Sequence, residues 1–282
     1  MNRIELVNSI ISKEELDSKI SFTNSALNNL ADIRNLVFEI IQDTSLEINY
    51  LSEEETKLSI TFLVKEGVNF KLTEIKEGKK FKTQVKFYLA KDSHVEVTKF
   101  YDVDAVRELD IIYLEKEGAK IDYNFKTIST GIEKYDIMVY HNDANTISRI
   151  KNSGVNVEGS LIFNVSSFVP NGKVKCLLEQ NGKIINLTNN KCQINPNLLI
   201  DENDVEANHS ANICKFSDDE MFYLQSRGLN EEEALNLLIK GFLLDKVSVN
   251  YKKIENIINR YWRWNYVSWW FWNFKIRNYL FW

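Results

Sequence analysis

The sequence predicts a mainly β protein with a helical segment at each end, and three observations predict it. Runs of alternating apolar and polar residues recur roughly every ten residues from about 46 to 214, the spacing of a many-stranded β architecture. The tripeptide Lys-Glu-Gly stands between such runs at 65–67, 76–78 and 116–118, where Gly would supply the unusual backbone angle of a turn. After residue 214 the apolar period changes from two to that of a helix, and two capping boxes mark the change.

In chain order, residues 1–45 read as a helical segment. Ser12-Lys-Glu-Glu15 has the form of a capping box, and Leu27, Leu30, Ile33, Leu36, Val37, Ile40 and Ile41 make a helix-spaced stripe. Residues 46–216 form the β core. Leu58, Ile60, Phe62 and Val64 alternate with polar residues, as do Val85, Phe87 and Leu89, then Ile111 and Tyr113, then Ile121, Tyr123 and Phe125, then Leu161 and Phe163. The clear hairpin-like dipeptides are Asn171-Gly172 and Asn181-Gly182. Sandwich, barrel and β-helix all fit this rhythm. The last run, Val205 to Ile213, places Val205, Ala207, His209, Ala211 and Ile213 on one face.

Residues 217–259 read as a helical hairpin. Ser217 with Glu220, and Asn230 with Glu233, can satisfy the free N–H groups of two helix starts, and the acidic first turns suit the helix dipole. Gly228 falls where the first helix should stop. Ala234, Leu237, Leu238, Gly241, Phe242 and Val247 form an apolar stripe on the second. All six Trp lie in the tail 260–282, between Trp262 and Trp282. That tail has neither clear period nor caps. An interfacial segment is one reading of it; a translated frameshift is the favoured one.

Composition narrows the function. The 282 residues are 44% hydrophobic and 27% charged, with a net charge of −5, which argues against general nucleic-acid binding. Three Cys, at 176, 192 and 214, make no disulfide framework and suit a reducing cytoplasm. No apolar stretch is long enough to span a membrane. There is no Walker P-loop, so no ATP site is expected, and there is no G-x-S-x-G or H-E-x-x-H.

The segment FYLQSRGLNEEEALNLLIKGFL, Phe222 to Leu243, resembles the C-terminal signature of the SufB/SufD family of iron–sulfur cluster assembly proteins. Asn195-Pro-Asn-Leu-Leu-Ile-Asp201, Asp204-Val-Glu-Ala-Asn-His209 and Gly159-Ser-Leu-Ile-Phe-Asn164 are similar to other blocks of that family. The resemblance covers about residues 155 to 245. It implies a right-handed parallel β-helix core flanked by helical segments, in a cytoplasmic, non-catalytic scaffold. It further implies that the SufC ATPase docks on the C-terminal helices, with Phe222, Tyr223, Arg227, Leu237, Leu238, Gly241 and Phe242 as candidate docking residues. The core would pair with a SufB-type subunit or with itself, and a transient iron–sulfur cluster would form at that interface.

His209 matches the family His near the paired cores, as a cluster or metal ligand. Its rival reading is a hydrogen-bonded core His. Cys214 is the second candidate, although its strand parity is opposite to that of His209. Ser210 stands where SufB-type proteins carry Glu, so the chain looks SufD-like. The place of the SufB-type reactive Cys falls near Asn181, which neither Cys176 nor Cys192 matches. His94 and His141 read as structural. The chain is shorter than typical members on its N-terminal side. Two rival readings are a carbohydrate-active β-helix enzyme, for which Asp204 and Glu206 are the only carboxylate pair in the last strand, and a degenerate copy of the family.

Overall fold

The computed structural model describes residues 2–26, 33–245 and 250–261. Through Cys214 the chain is one compact unit, and from Lys215 a second. The first unit is a parallel β-solenoid of about seven turns. It opens with β1 (Asn2–Val7), β2 (Ile10–Glu15), β3 (Ile20–Ala26) and β4 (Ile33–Ile40). Four long strands follow: β5 (Thr44–Val64), β6 (Asn69–Leu89), β7 (His94–Leu114) and β8 (Lys120–His141). Then come β9 (Ile147–Asn156), β10 (Ser160–Val169), β11 (Cys176–Asn186), β12 (Cys192–Ile200) and β13 (Val205–Cys214).

Each long strand bends at its middle and so contributes to two walls. One wall runs β1–β5–β6–β7–β8–β9–β11–β13, with every pair parallel. The other runs β4–β5–β6–β7–β8–β10–β12, also parallel. Equivalent positions therefore stack turn upon turn: Ile48, Glu74, Lys99, Phe125, Asn152, Gly182 and Ala211 are successive partners in one register. The alternation read from the sequence puts one parity into the space between the walls. Phe38, Phe62 and Phe87 stack there with ring centroids 5.1 and 5.0 Å apart, an offset arrangement favoured by the ring quadrupole.

Three expectations need correction. Residues 1–45 are not a helical segment: the described part is β1 to β4. The stripe Leu36, Phe38 and Ile40 alternates into the core at period two, and β-branched and aromatic residues suit that pleat. Ser12 caps nothing, because it lies within β2. Of the stripe positions, Leu27 and Leu30 lie outside the described residues, as do Val247 and the tail from Trp262 onward. Second, only two of the Lys-Glu-Gly copies are turns, at Gly67 and Gly118. The third lies inside β6 at the bend between the walls. Gly78 has φ +123 there, and a Cβ would meet the Ser52 carbonyl oxygen at 2.0 Å. Third, neither Asn-Gly pair makes a hairpin. Asn171-Gly172 connects β10 and β11, which lie in different walls, and Asn181-Gly182 is inside β11.

The N-terminal end of the solenoid is closed by antiparallel β2 and β3, added to β1 and β4. Lys13, Glu14 and Glu15 are exposed along β2, a charged edge that discourages further pairing. At the other end, β12 and β13 are the last described strands of their walls; β12 is largely half-buried and β13 mostly exposed.

The second unit, described by itself, holds α1 (Asp218–Ser226), α2 (Glu231–Leu244) and a helix at 251–261, here α3. Both capping boxes form. The Ser217 hydroxyl accepts from the Glu220 N–H, and the Asn230 side chain accepts from the Glu233 N–H at 2.9 Å. Gly228 ends α1 with φ +95, the left-handed conformation that a side chain would resist.

Candidate functional site

Three groups of residues could carry function: the open last turn, the outer faces of the helical unit, and a charged network inside the solenoid.

His209 stands on β13 in the register row Leu72, Val97, Tyr123, Ile150, Gln180, His209. The other members of that row are buried between the walls. His209 is exposed, and among the described residues no further strand pairs with β13 beyond it. The core reading of this His is therefore corrected: its parity is that of the core, and its position is the uncovered end. Beneath it Gln180 donates to the Ser167 hydroxyl at 2.8 Å, while its own carbonyl oxygen has no hydrogen-bond partner. Beside His209, Ser210 donates to Asn181 Oδ1 at 2.7 Å.

Cys214 pairs with Ile185 and has the opposite parity, so the strand holds the two candidates on different faces. Cys192 is half-buried on β12, and burial raises its thiol pKa. Cys176 is buried at the start of β11. Among the described residues no three of His, Cys, Asp and Glu converge as metal ligands. Asp204 and Glu206 are both exposed at the same end.

In the helical unit, the buried residues of α2 are Ala234, Ile239, Leu243 and Leu244. Most of the stripe named from the sequence lies elsewhere. Leu237 is 50% exposed, Gly241 is exposed, and Leu238 and Phe242 are half-buried. On α1, where nothing is buried, Phe222 is 72% and Tyr223 57% exposed. The Arg227 guanidinium lies 5.4 Å from the centre of the Tyr223 ring, within cation–π range.

The charged network escaped the sequence reading. Lys76 and Lys99 are 0% exposed, inside the solenoid with Glu74, Glu108 and Asp110. Lys99 Nζ reaches Asp110 at 2.5 Å, Glu108 at 2.8 Å and Glu74 at 3.2 Å, while Lys76 pairs with Glu108. Three phenols donate into the cluster: Tyr50 to Glu74 at 2.6 Å, Tyr101 to Glu108 and Tyr123 to Asp110. Burial disfavours charge on Lys99, yet Asp110, Glu108 and Glu74 hold its pKa well above the ordinary value. Burial also works against ionised Glu108, but Lys76 and Lys99 hold that carboxyl well below its usual range. Burial lifts Asp110 to about 7, against the pull of Lys99 and with the push of Glu108. The only sequence sign was placement: Glu74 and Lys76 share the parity of Phe70 and Leu72 in β6.

One turn further on, Glu133 is buried and accepts from Thr127 at 2.7 Å and Tyr135 at 2.8 Å, and burial lifts its carboxyl to about 8. A folded pKa raised above the unfolded 4.5 contributes stability below pH 4.5 that is lost as pH rises toward 8. Glu133→Gln is expected to remove that loss. Urea unfolding at pH 7 should show a gain on the order of 3 kcal/mol, at about 1.4 kcal/mol per unit, and little change at pH 4.5. His141 sets the opposite limit. It bonds Thr146 at 2.8 Å and Ser148 at 2.9 Å, and burial lowers its pKa from 6.5 to about 4. Stability from the neutral ring is complete above pH 6.5 and falls as pH drops toward 4. Thermal melts from pH 7 to 4 should show this decline flattened in His141→Gln.

A long stack of parallel strands folded into two walls is the architecture of a β-helix protein. Comparison with known proteins gives its family. The family described as "SUF system FeS cluster assembly, SufBD core domain" matches residues 38–242, and the chain belongs to that family. It is 36% identical over 100 residues to the iron-sulfur cluster assembly protein SufD of Bacillus subtilis, covering 35% of this chain and 23% of that protein. A SufBD family protein of Pyrococcus horikoshii is 33% identical over 96 residues, 32% of this chain and 22% of the relative. One from Synechocystis is 36% identical over 50 residues, 18% and 10%. The matched segments thus span less than a quarter of the lengths of these relatives. No helix among the described residues is long and apolar enough to cross a membrane.

Proposed function

We propose that the chain is a SufD-like, non-catalytic scaffold subunit of a cytoplasmic SUF assembly complex. Its helical unit binds a SufC-type ATPase, and its solenoid pairs through the open last turn with a SufB-type subunit or a second copy. The observation that carries the reading is the coincidence of the family match with two uncovered surfaces. These are the exposed apolar residues of α1 and α2, and the edges of β12 and β13, which pair with no further strand among the described residues. An exposed edge row of N–H and C=O groups is a template for another strand.

The cluster is cargo in this account. His209, at that end, could offer one imidazole to a nascent iron–sulfur cluster, and the remaining ligands would come from the paired subunit, since thiolates are the usual ones. The ATPase would supply the work. Nucleotide binding there would draw the docked helices together and load the paired cores. The test is co-expression with a SufB-type subunit and a SufC-type ATPase, followed by anaerobic reconstitution. The purified complex should contain all three chains and bind iron and sulfide. His209→Ala should leave the complex intact and lower both contents. Unchanged contents would remove His209 from the account, and failure to co-purify would remove the assembly reading.

A further inference from the structure

We propose that Tyr88, Tyr113 and Tyr140 form an oxidative cross-linking site, at which a dityrosine bond joins adjacent turns of the solenoid. The three occupy one outward position on β6, β7 and β8, in register Tyr88 with Tyr113 and Tyr113 with Tyr140. Their rings are nearly parallel. Centroids are 4.8 Å apart for Tyr88 and Tyr113, with 15° between planes, and 5.2 Å for Tyr113 and Tyr140, with 16°. All three are partly open to solvent. Phe168 continues the stack beyond Tyr140 at 4.6 Å, but it has no phenol to oxidise.

Stacking alone accounts for the packing of these rings. It also holds neighbouring phenols face to face, with centroids about one strand spacing apart, so that a bimolecular coupling becomes an intramolecular one. The interior tyrosines differ in both respects. Tyr50, Tyr101, Tyr123 and Tyr135 are buried, and their hydroxyls are committed to carboxylates. Tyr101 meets Tyr135 edge-on, at 68°.

The oxidant required is a one-electron acceptor that works from outside, such as a haem peroxidase supplied with hydrogen peroxide. Each of two phenols gives up one electron and its hydroxyl proton. The two radicals join through a Cε of each ring, ortho to the carbon that bears the oxygen, and the hydrogen on each Cε moves to its own ring's oxygen, restoring both phenols. The two electrons and two protons reduce one peroxide to two waters. Burial, Tyr88, Tyr140 and Glu115 raise the Tyr113 hydroxyl above its ordinary value, so the reaction starts from neutral phenol. Tyr113 belongs to both possible pairs, so the first bond uses it whichever neighbour reacts.

The test treats the full chain, dilute enough to suppress encounters between molecules, with a haem peroxidase and limiting peroxide. The expected product is a monomer lighter by two hydrogens, with dityrosine fluorescence and a cross-linked peptide pair containing Tyr113. Tyr113→Phe keeps the ring stack and should reduce the monomeric product to background. Tyr88→Phe and Tyr140→Phe should each leave one pair. An undiminished yield in Tyr113→Phe, dityrosine found only in dimers, or none in the parent chain would each overturn the proposal.

Discussion

Replacing Lys99 with Met should destabilise the solenoid by about 3–5 kcal/mol, the cost typical of removing one member of a buried ion network. Lys99 is the partner shared by Glu74, Glu108 and Asp110. Without it Lys76 alone faces three carboxylates from which water is excluded. The loss measures the stranded charges rather than the worth of the network, because desolvating five ionisable groups is itself costly. A second variant separates the two. Asp110 lies in register between Val85 and Ile137, so Asp110→Val places an apolar side chain in an apolar row. In the Lys99→Met background it should recover part of the loss, short of all of it because the Tyr123 hydroxyl loses its acceptor. Urea unfolding of the four chains of this cycle gives the coupling directly. Simple additivity would mean that the two side chains do not depend on each other.

The strands of the core were legible because burial on one face imposes period two, and Leu58 to Val64 or Leu161 and Phe163 display it without interruption. What the alternation could not give was direction. In β7 the apolar parity Ile111 and Tyr113 faces outward, while Asp110 shares the inward parity with Ile112 and Leu114. There the outer surface carries the aromatic stack, and the interior mixes Ile112 and Leu114 with the charged Glu108 and Asp110, so hydrophobicity alone does not tell the two faces apart. The N-terminal strands were misread for a related reason. Leu36 and Ile40, four apart, fit a helix face as well as a strand face, and only pairing with β5 decides between them. The starts of α1 and α2 were legible, since a capping box is local chemistry between residues three apart, but the same pattern at Ser12 falls inside β2, where pairing with β1 overrides it. For the site, the position of His209 in the row could be read, but not its exposure. That depends on β13 being the last strand of its wall, a property of the whole fold.

Phe222→Asp combined with Leu237→Asp should abolish most of the binding to a SufC-type ATPase. Both side chains are at least half exposed in the chain alone, so a carboxylate there costs the fold little. In an interface it would be buried without a partner. Loss of a central apolar anchor typically costs 2 kcal/mol or more, roughly thirtyfold in affinity, and two such losses would exceed that. The half-buried Leu238 and Phe242 are less suited to this test, because substitution there would also disturb the packing of α2.

The most direct measurement is calorimetric titration of the purified full chain with a purified SufC-type ATPase, for the parent and for the double variant, with matched melting temperatures confirming the fold. The account predicts saturable binding by the parent and a drop of at least about thirtyfold in the variant. Equal affinity of the two chains, or no binding by the parent, would contradict it.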